Sequence, residues 1–296
     1  MRQQSFFGNE DDRRRDSAPR RFRGAIVREV SCKSILNKTA ISDYSLNCYT
    51  GCSHGCVYCY ARFMQRFHPH TEPWGEFVDV KVNAVEVLKR QLRRAAPGDV
   101  FVSSACDGWQ PVEAERKLTR QCCELLVKHG FQVNALTKSS LILREFDIFA
   151  GGRARIGVTV TTLDERLRRL WEPRASRVEE RFDVLREAHR AGLKTAVMFG
   201  PLLPFLSDSR EAIDALFRQA AEAEADIIWT DALNARPRVW PSVVRLLGER
   251  FPELRERCRR ILFDRRAREA YLNQLRERIT LAAAATGMSD RLAGCP

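Results

Sequence analysis

The sequence predicts an α/β fold built on a parallel sheet. The first observation is alternation. Apolar, strand-like runs at residues 99–105, 132–136, 155–161, 194–200 and 227–230 are interleaved with amphipathic, helix-like stretches at 83–94, 113–129, 141–149, 177–191 and 209–222. Strand–helix alternation is the pattern of βα units around a parallel sheet. The second is punctuation, with Pro97-Gly98, His129-Gly130 and Ala191-Gly192 standing between the runs as turn and helix-stop signals. Counting a short run at residues 44–46, about six units fit, too few for an eight-stranded barrel. No internal repeat is evident.

From the N-terminus, residues 1–24 read as a disordered tail. Arg13, Arg14, Arg15, Arg20, Arg21 and Arg23 are offset by Glu10, Asp11, Asp12 and Asp16, with little apolar content after Phe7. Residues 25–235 carry the alternating core. Residues 236–296 read as a helical extension, with Arg255, Arg257, Arg259, Arg260, Arg265, Arg266 and Arg268 mixed with Glu253, Glu256, Asp264 and Glu269. A solvated face and a basic substrate-facing surface both explain that mixture.

Composition narrows the class. A hydrophobic content of 44% suits a globular core. No run approaches the roughly 18 uninterrupted apolar residues of a membrane span. The start lacks the apolar centre of a signal sequence, so a reducing cytoplasm is the expected compartment and no membrane partner is expected. The net charge of +12 invites nucleic acid as a partner. The excess is spread along the chain, and arginine-rich codon usage explains it equally well.

The most informative segment is Asn47-Cys48-Tyr49-Thr50-Gly51-Cys52-Ser53-His54-Gly55-Cys56-Val57-Tyr58-Cys59-Tyr60-Ala61-Arg62. Cys52, Cys56 and Cys59 form C-x3-C-x2-C. Three thiolates on one loop suit three irons of a cubane and leave the fourth open, whereas ordinary [4Fe–4S] electron carriers close it with a fourth cysteine. Structural zinc usually needs a second ligand pair, and His68 and His70 stand without a matching pair. Ten cysteines in 296 residues do not make a disulfide scaffold.

This spacing, with Tyr58 before the last cysteine, resembles the radical S-adenosylmethionine (SAM) superfamily. The longer string resembles its spore photoproduct lyase-like branch. The resemblance covers residues 32–231 and implies a partial (β/α)6 barrel, a [4Fe–4S] cluster, SAM, and an electron donor such as flavodoxin or ferredoxin. It also implies reductive SAM cleavage to a 5′-deoxyadenosyl radical that abstracts hydrogen from an unidentified substrate, a nucleic-acid lesion among the candidates.

Site residues follow by the same resemblance. Asp107-Gly108-Trp109-Gln110-Pro111-Val112-Glu113 is similar to a D-x-Y-Q-P-x-E segment of that branch, with Trp109 for the tyrosine. A G-G-E motif, which holds the SAM ammonium in many members, is absent; Ser104, Cys106 and Asp107 occupy its region. Asp107 is equally read as a helix cap. Lys138 is placed to neutralise the SAM carboxylate, and Ser139 is a second contact or a cap. Alternation puts Thr159 and Thr161 on one face, with Thr159 toward SAM. Glu172 and Arg174 are candidates for the ribose, or for each other. Ser104 stands at the place of the branch's hydrogen-donating cysteine, and Cys106 follows two residues later. Tyr58 and Tyr60 are candidates for a relay or for packing. Cys48 reads as a bystander. The rival functions are a non-enzymatic Fe–S redox or sensor protein and a zinc-dependent nucleic-acid-binding module.

Overall fold

The computed structural model describes residues 13–14, 19–150, 153–236 and 238–296. The chain divides into two compact units, one of Met1–His54 and Met64–Ile156, the other of Gly55–Phe63 and Gly157–Pro296.

The first unit holds two sets of strands. One comprises β1 (Arg13–Arg14), β2 (Arg20–Phe22) and β3 (Ala25–Ser31). Beside β3 lies β7 (Phe77–Lys81), parallel to it, and β6 (Tyr49–Thr50) runs antiparallel to β7. The other set begins with β4 (Leu36–Lys38), antiparallel to β5 (Tyr44–Leu46). Next come β8 (Asp99–Val102), parallel to β5, and β9 (Gln132–Thr137), parallel to β8. Between β7 and β8 runs α1 (Ala84–Leu92), which buries Ala84, Val87, Leu88 and Leu92 as one stripe at helical spacing. Between β8 and β9 lie α2 (Glu113–Arg116) and α3 (Leu118–Lys128). After β9 a 3-10 turn, Ser140–Glu145, leads into α4 (Phe146–Phe149).

The next strand, β10 (Ala154–Val160), carries the chain into the second unit. There α5 (Glu165–Trp171) and α6 (Val178–Arg190) precede β11 (Lys194–Leu202), and α7 (Arg210–Glu222) precedes β12 (Ile227–Ala232), which is parallel to β11. Three helices follow, α8 (Trp240–Arg250), α9 (Arg255–Phe263) and α10 (Arg265–Ala285). Asp264 caps α10 by accepting from Ala267 N at 2.8 Å. Last comes β13 (Leu292–Gly294), parallel to β12. No helix among the described residues is long and apolar enough to cross a membrane.

The six strands read from the sequence are thus β5, β8, β9, β10, β11 and β12, and the α/β class with its parallel pairs is as expected. The expected disordered tail needs correction at its inner end. Arg20–Phe22 pairs antiparallel with β3 across a two-residue turn, Arg23-Gly24, whose φ values of 45° and 85° are the left-handed pair that a tight hairpin requires. Residues 1–12 and 15–18 of that segment lie outside the described residues. The strand expected over 99–105 stops at Val102, where Ser103 turns to φ 76°. The helix expected over 113–129 breaks at Lys117, φ 52°. The boundary read at 235/236 falls inside the second unit, so the C-terminal helices belong to the same compact body as β11 and β12.

Gly51 opens the cysteine loop at φ +81°, and a Cβ there would stand 2.5 Å from the Phe77 carbonyl oxygen and 2.6 Å from its ring. Gly51→Ala is expected to cost about 2–3 kcal/mol through strain and overlap. A melting temperature equal to wild type would refute that account.

Candidate functional site

The cysteine loop runs from the end of β6 to a 3-10 helix, Tyr60–Arg66. Its first part, through His54, belongs to the first unit; the rest, from Gly55, belongs to the second.

In the first unit, three side chains from the segment after β8 fasten the loop. The buried Asp107 carboxylate lies 3.4 Å from His54 Nδ1. It also accepts from Trp109 N at 2.9 Å, Thr137 Oγ1 at 2.7 Å and Lys138 N at 2.8 Å. Burial alone would raise its pKa, but the adjacent His54 and these donors hold it well below the usual carboxylate range. Gln110, fully buried, accepts from Ser53 N at 2.8 Å and donates to the Gly51 carbonyl at 3.2 Å. Glu113, also fully buried, accepts from the Tyr49 hydroxyl and from Leu118 N, Thr119 N and Arg120 N at 3.1, 3.2 and 3.1 Å. It therefore caps α3, whose own N-cap residue, Lys117, supplies no side-chain acceptor. Cys52 is buried.

Asn47, just past β5, organises the end of β8. It donates to Ser104 Oγ at 3.0 Å, and its carbonyl accepts from Ala105 N at 2.7 Å and from the Cys106 thiol at 3.7 Å. Cys106 is half-buried, and burial pushes its pKa up, keeping it as S–H. Lys138 is partly exposed, with its backbone held by Asp107. Ser139 accepts from Leu141 N at 3.2 Å and caps the 3-10 turn that follows. Cys48 lies in the core with its sulfur 3.7 Å from that of Cys122.

In the second unit, Cys56 is buried and Cys59 partly so. Val57 N donates to the Trp171 carbonyl at 2.9 Å, and the Tyr58 ring stacks on Trp171 at 6.4 Å between centroids. The Tyr58 hydroxyl meets Thr161 Oγ1 at 2.9 Å and donates to Glu172. Glu172, wholly buried, is paired with the equally buried Arg181 at 2.5 Å. Arg181 donates in turn to the Thr159 carbonyl at 2.8 Å. Burial and the Glu172 charge keep Tyr58 protonated far above the usual phenol range. Arg62 reaches the Cys56 carbonyl at 3.3 Å. Tyr60 is 46% exposed, stacked on Phe63, with Arg236 over its ring at 5.6 Å. Cys56 and Tyr58 pack into an apolar cluster with Leu167, Trp171, Leu203, Leu233, Val243, Leu247 and Cys258, so α8 and α9 back this half of the loop.

The expected roles of two residues are corrected by this geometry. Glu172 does not stand open for a ribose; its carboxylate is taken by Tyr58, Thr161 and Arg181. Arg174 is exposed. Asp107 is an internal fastener rather than a free polar group at the strand end. Thr159 is buried, and Thr161 on the same face is the one in the Tyr58–Glu172 network. Asn47, His54, Gln110, Glu113 and Arg181 are positions whose roles the sequence reading did not assign, although four of the five lie inside the two matched segments.

The donor set fits an iron–sulfur cube. Three thiolates, two buried and one half-buried, suit three separate irons of a cube.

A profile described as the Radical SAM superfamily matches residues 46–217. An uncharacterized protein of Methanocaldococcus jannaschii is 32% identical over 183 residues, 61% of this chain and 69% of that protein. One of Mycobacterium tuberculosis is 32% identical over 275 residues, 87% and 80% respectively. Among solved structures, a spore photoproduct lyase variant superposes with TM-score 0.64 at 14% identity, covering 89% of this chain and 80% of that one. Another, with bound AdoMet and dinucleoside spore photoproduct, gives 0.63 at 14%, covering 86% and 77%. This likeness shows the fold, a partial barrel of parallel βα units.

The Asp107 pKa is depressed in the folded state, so its stabilisation is complete above the unfolded carboxylate value of about 3.9 and is lost as pH falls through its own lower value. Asp107→Asn should therefore be less stable than wild type at neutral pH, by about 2–3 kcal/mol, with the gap closing in acid. A gap that is constant from pH 7 to pH 2 in denaturant titrations would sink this assignment.

Proposed function

Because the chain belongs to the radical SAM superfamily, we propose that Cys52, Cys56 and Cys59 hold its [4Fe–4S] cluster and leave one iron for SAM. The chain is an enzyme of that superfamily, whose members use this cluster and SAM and generally need a reductant. The observation that carries the residue assignment is the loop itself: three cysteines with no fourth at the spacing that would close the cube, buried or half-buried and fastened by Asp107, Gln110 and the Trp171 carbonyl.

When bound, cluster and SAM supply one-electron cleavage of the SAM S–C5′ bond, giving methionine and a hydrogen-abstracting 5′-deoxyadenosyl radical. The chain's residues supply position and protection. Asp107 and Gln110 fix the loop's first part. Tyr58, held by Glu172, fixes the residue before Cys59. Lys138, whose backbone Asp107 anchors, takes the SAM carboxylate, with Ser104 and Thr159 as further contacts. The Cys106 thiol, protonated and half-buried, is the candidate to return a hydrogen atom to the substrate. An acidic one-electron carrier of the flavodoxin or ferredoxin type is the proposed reductant. The substrate class we favour is a nucleic-acid lesion. The net charge of +12 supports it, as does the dinucleoside ligand of a lyase structure of the same fold.

Anaerobic protein, reconstituted with iron and sulfide and reduced, should form 5′-deoxyadenosine from SAM, with UV-damaged DNA as the first substrate tried. Cys56→Ala should lose both cluster iron and product, while Cys48→Ala keeps both. Iron loss in Cys48→Ala equal to that in Cys56→Ala would overturn the ligand assignment.

Lys138→Ala should retain full cluster iron and bind SAM roughly tenfold more weakly, the scale of one charge-assisted contact. Unchanged SAM affinity by equilibrium dialysis would remove Lys138 from the site.

A further inference from the structure

A cavity of about 630 Å3 lies in the first unit. Its size is that of a small-molecule site. It is lined by Lys33, Leu36, Tyr44, Val87, Arg90, Gln91, Arg93, Arg94 and Ala95; four of these are cations and none is an acid. None of the residues proposed for cluster or SAM is among them.

The cations come from two separate places. Lys33 is on the turn between β3 and β4; Arg90, Arg93 and Arg94 are in and just beyond the last turn of α1. The helix dipole favours basic residues at a helix C-terminus, which accounts for Arg90, Arg93 and Arg94 but not for Lys33 facing the same space. The wall between them is tied together by hydrogen bonds. Gln91 accepts from Ile35 N at 2.9 Å and Leu36 N at 3.0 Å, and donates to Ser34 Oγ at 3.0 Å and the Leu36 carbonyl at 2.9 Å. The Tyr44 hydroxyl donates to the Ala96 carbonyl at 3.1 Å, and Lys38 stands 3.9 Å over the Tyr44 ring.

Several other arginines of the same unit are paired. Arg20, Arg116, Arg120 and Arg144 each meet a carboxylate, at 2.9, 2.7, 2.9 and 2.5 Å. Arg90, Arg93 and Arg94 form no ion pair among the described residues. Like charges gathered in one place repel, and a planar guanidinium fork matches phosphate oxygens in pairs.

We infer that this cavity binds a phosphate-bearing ligand, with Arg90, Arg93 and Arg94 as its principal contacts and Lys33 opposite them. The site is independent of the cluster, so its test needs neither iron nor SAM and stands or falls apart from the radical SAM reading. Two sources share the chemistry: a free phosphate compound and the phosphodiester backbone of a nucleic acid.

The probes are inorganic phosphate, ATP and a labelled oligothymidylate, titrated into the full chain. Combined Arg90→Gln, Arg93→Gln and Arg94→Gln should weaken the bound probe about tenfold or more. For the oligonucleotide it should lower the salt slope of log K by about 2, at ~0.7 for each of three lost contacts. A matched surface variant, Arg255→Gln, Arg259→Gln and Arg260→Gln, should bind as wild type does. An effect on phosphate or ATP only assigns the site to a free ligand; an effect on the oligonucleotide assigns it to a backbone. If the triple variant fails to fold, judged by circular dichroism and melting, the exposed Arg94→Gln carries the same comparison. The inference is overturned if no probe binds the wild type, if the cavity variant binds as wild type, or if both triple variants lose affinity alike.

Discussion

The buried carboxylate of Asp107 is the constraint on which the functional geometry of the first unit depends. An ionised carboxyl out of water is costly unless its lone pairs are filled. Here they are filled by donors from the cysteine loop, from its own turn and from the end of β9. The same contacts that make the charge tolerable join three stretches that are remote in sequence. Gln110 and Glu113 extend the device. One takes the backbone on either side of Cys52, and the other takes Tyr49 before it together with the first amides of α3. A seven-residue segment, Asp107 to Glu113, is therefore a cradle for Tyr49–His54 rather than a row of ligand contacts.

The second unit solves its part of the problem with a buried ion pair. Glu172 and Arg181 are both fully enclosed, and a pair of that kind is weak evidence of stability, since apolar residues of like volume often serve as well. Its distinguishing feature is direction. Glu172 accepts from Tyr58, and Arg181 also holds the carbonyls of Thr159 and Ser176. The pair thus fixes the residue before Cys59 and ties the end of β10 to the turn before α6. Removing either partner leaves an uncompensated charge in the core, at about 3–5 kcal/mol, so the network resists partial loss.

Much of this was legible in the sequence, and the boundary of legibility is physical. The parallel strands were readable because each buried strand is a short apolar run, and β5, β9, β11 and β12 begin where those runs begin. The strands β3 and β7 were not. β3 carries Arg28 and Glu29 among its apolar residues, and β7 follows a Pro- and His-containing stretch that reads as loop. The chemistry of the site was legible as composition at fixed spacing: Cys52, Cys56, Cys59 and the D-x-W-Q-P-x-E segment stood out. The direction of each polar side chain was not. Spacing puts Glu172 near Arg174, but it gives no sign that Arg181, nine residues on and one turn into α6, also reaches it. Which carboxylate faces inward is decided by long-range packing that no local pattern encodes.

Charge shows the same gap between composition and place. A net +12 with arginines crowded into residues 255–268 points to the C-terminal helices as the basic surface. Several of those arginines are engaged within the second unit: Arg257 lies 4.0 Å over the Phe205 ring, Arg259 pairs with Glu256, and Arg268 donates to Asn234. By contrast, Arg90, Arg93 and Arg94 are unremarkable as the end of an amphipathic helix. The fold gives them a common cavity with no carboxylate in its lining. Electrostatic attraction for an anion depends on the cations left uncompensated at one place, not on the sum over the chain. By that criterion the basic end of α1, joined by Lys33 at one cavity, is an anion site that its place in the sequence does not advertise.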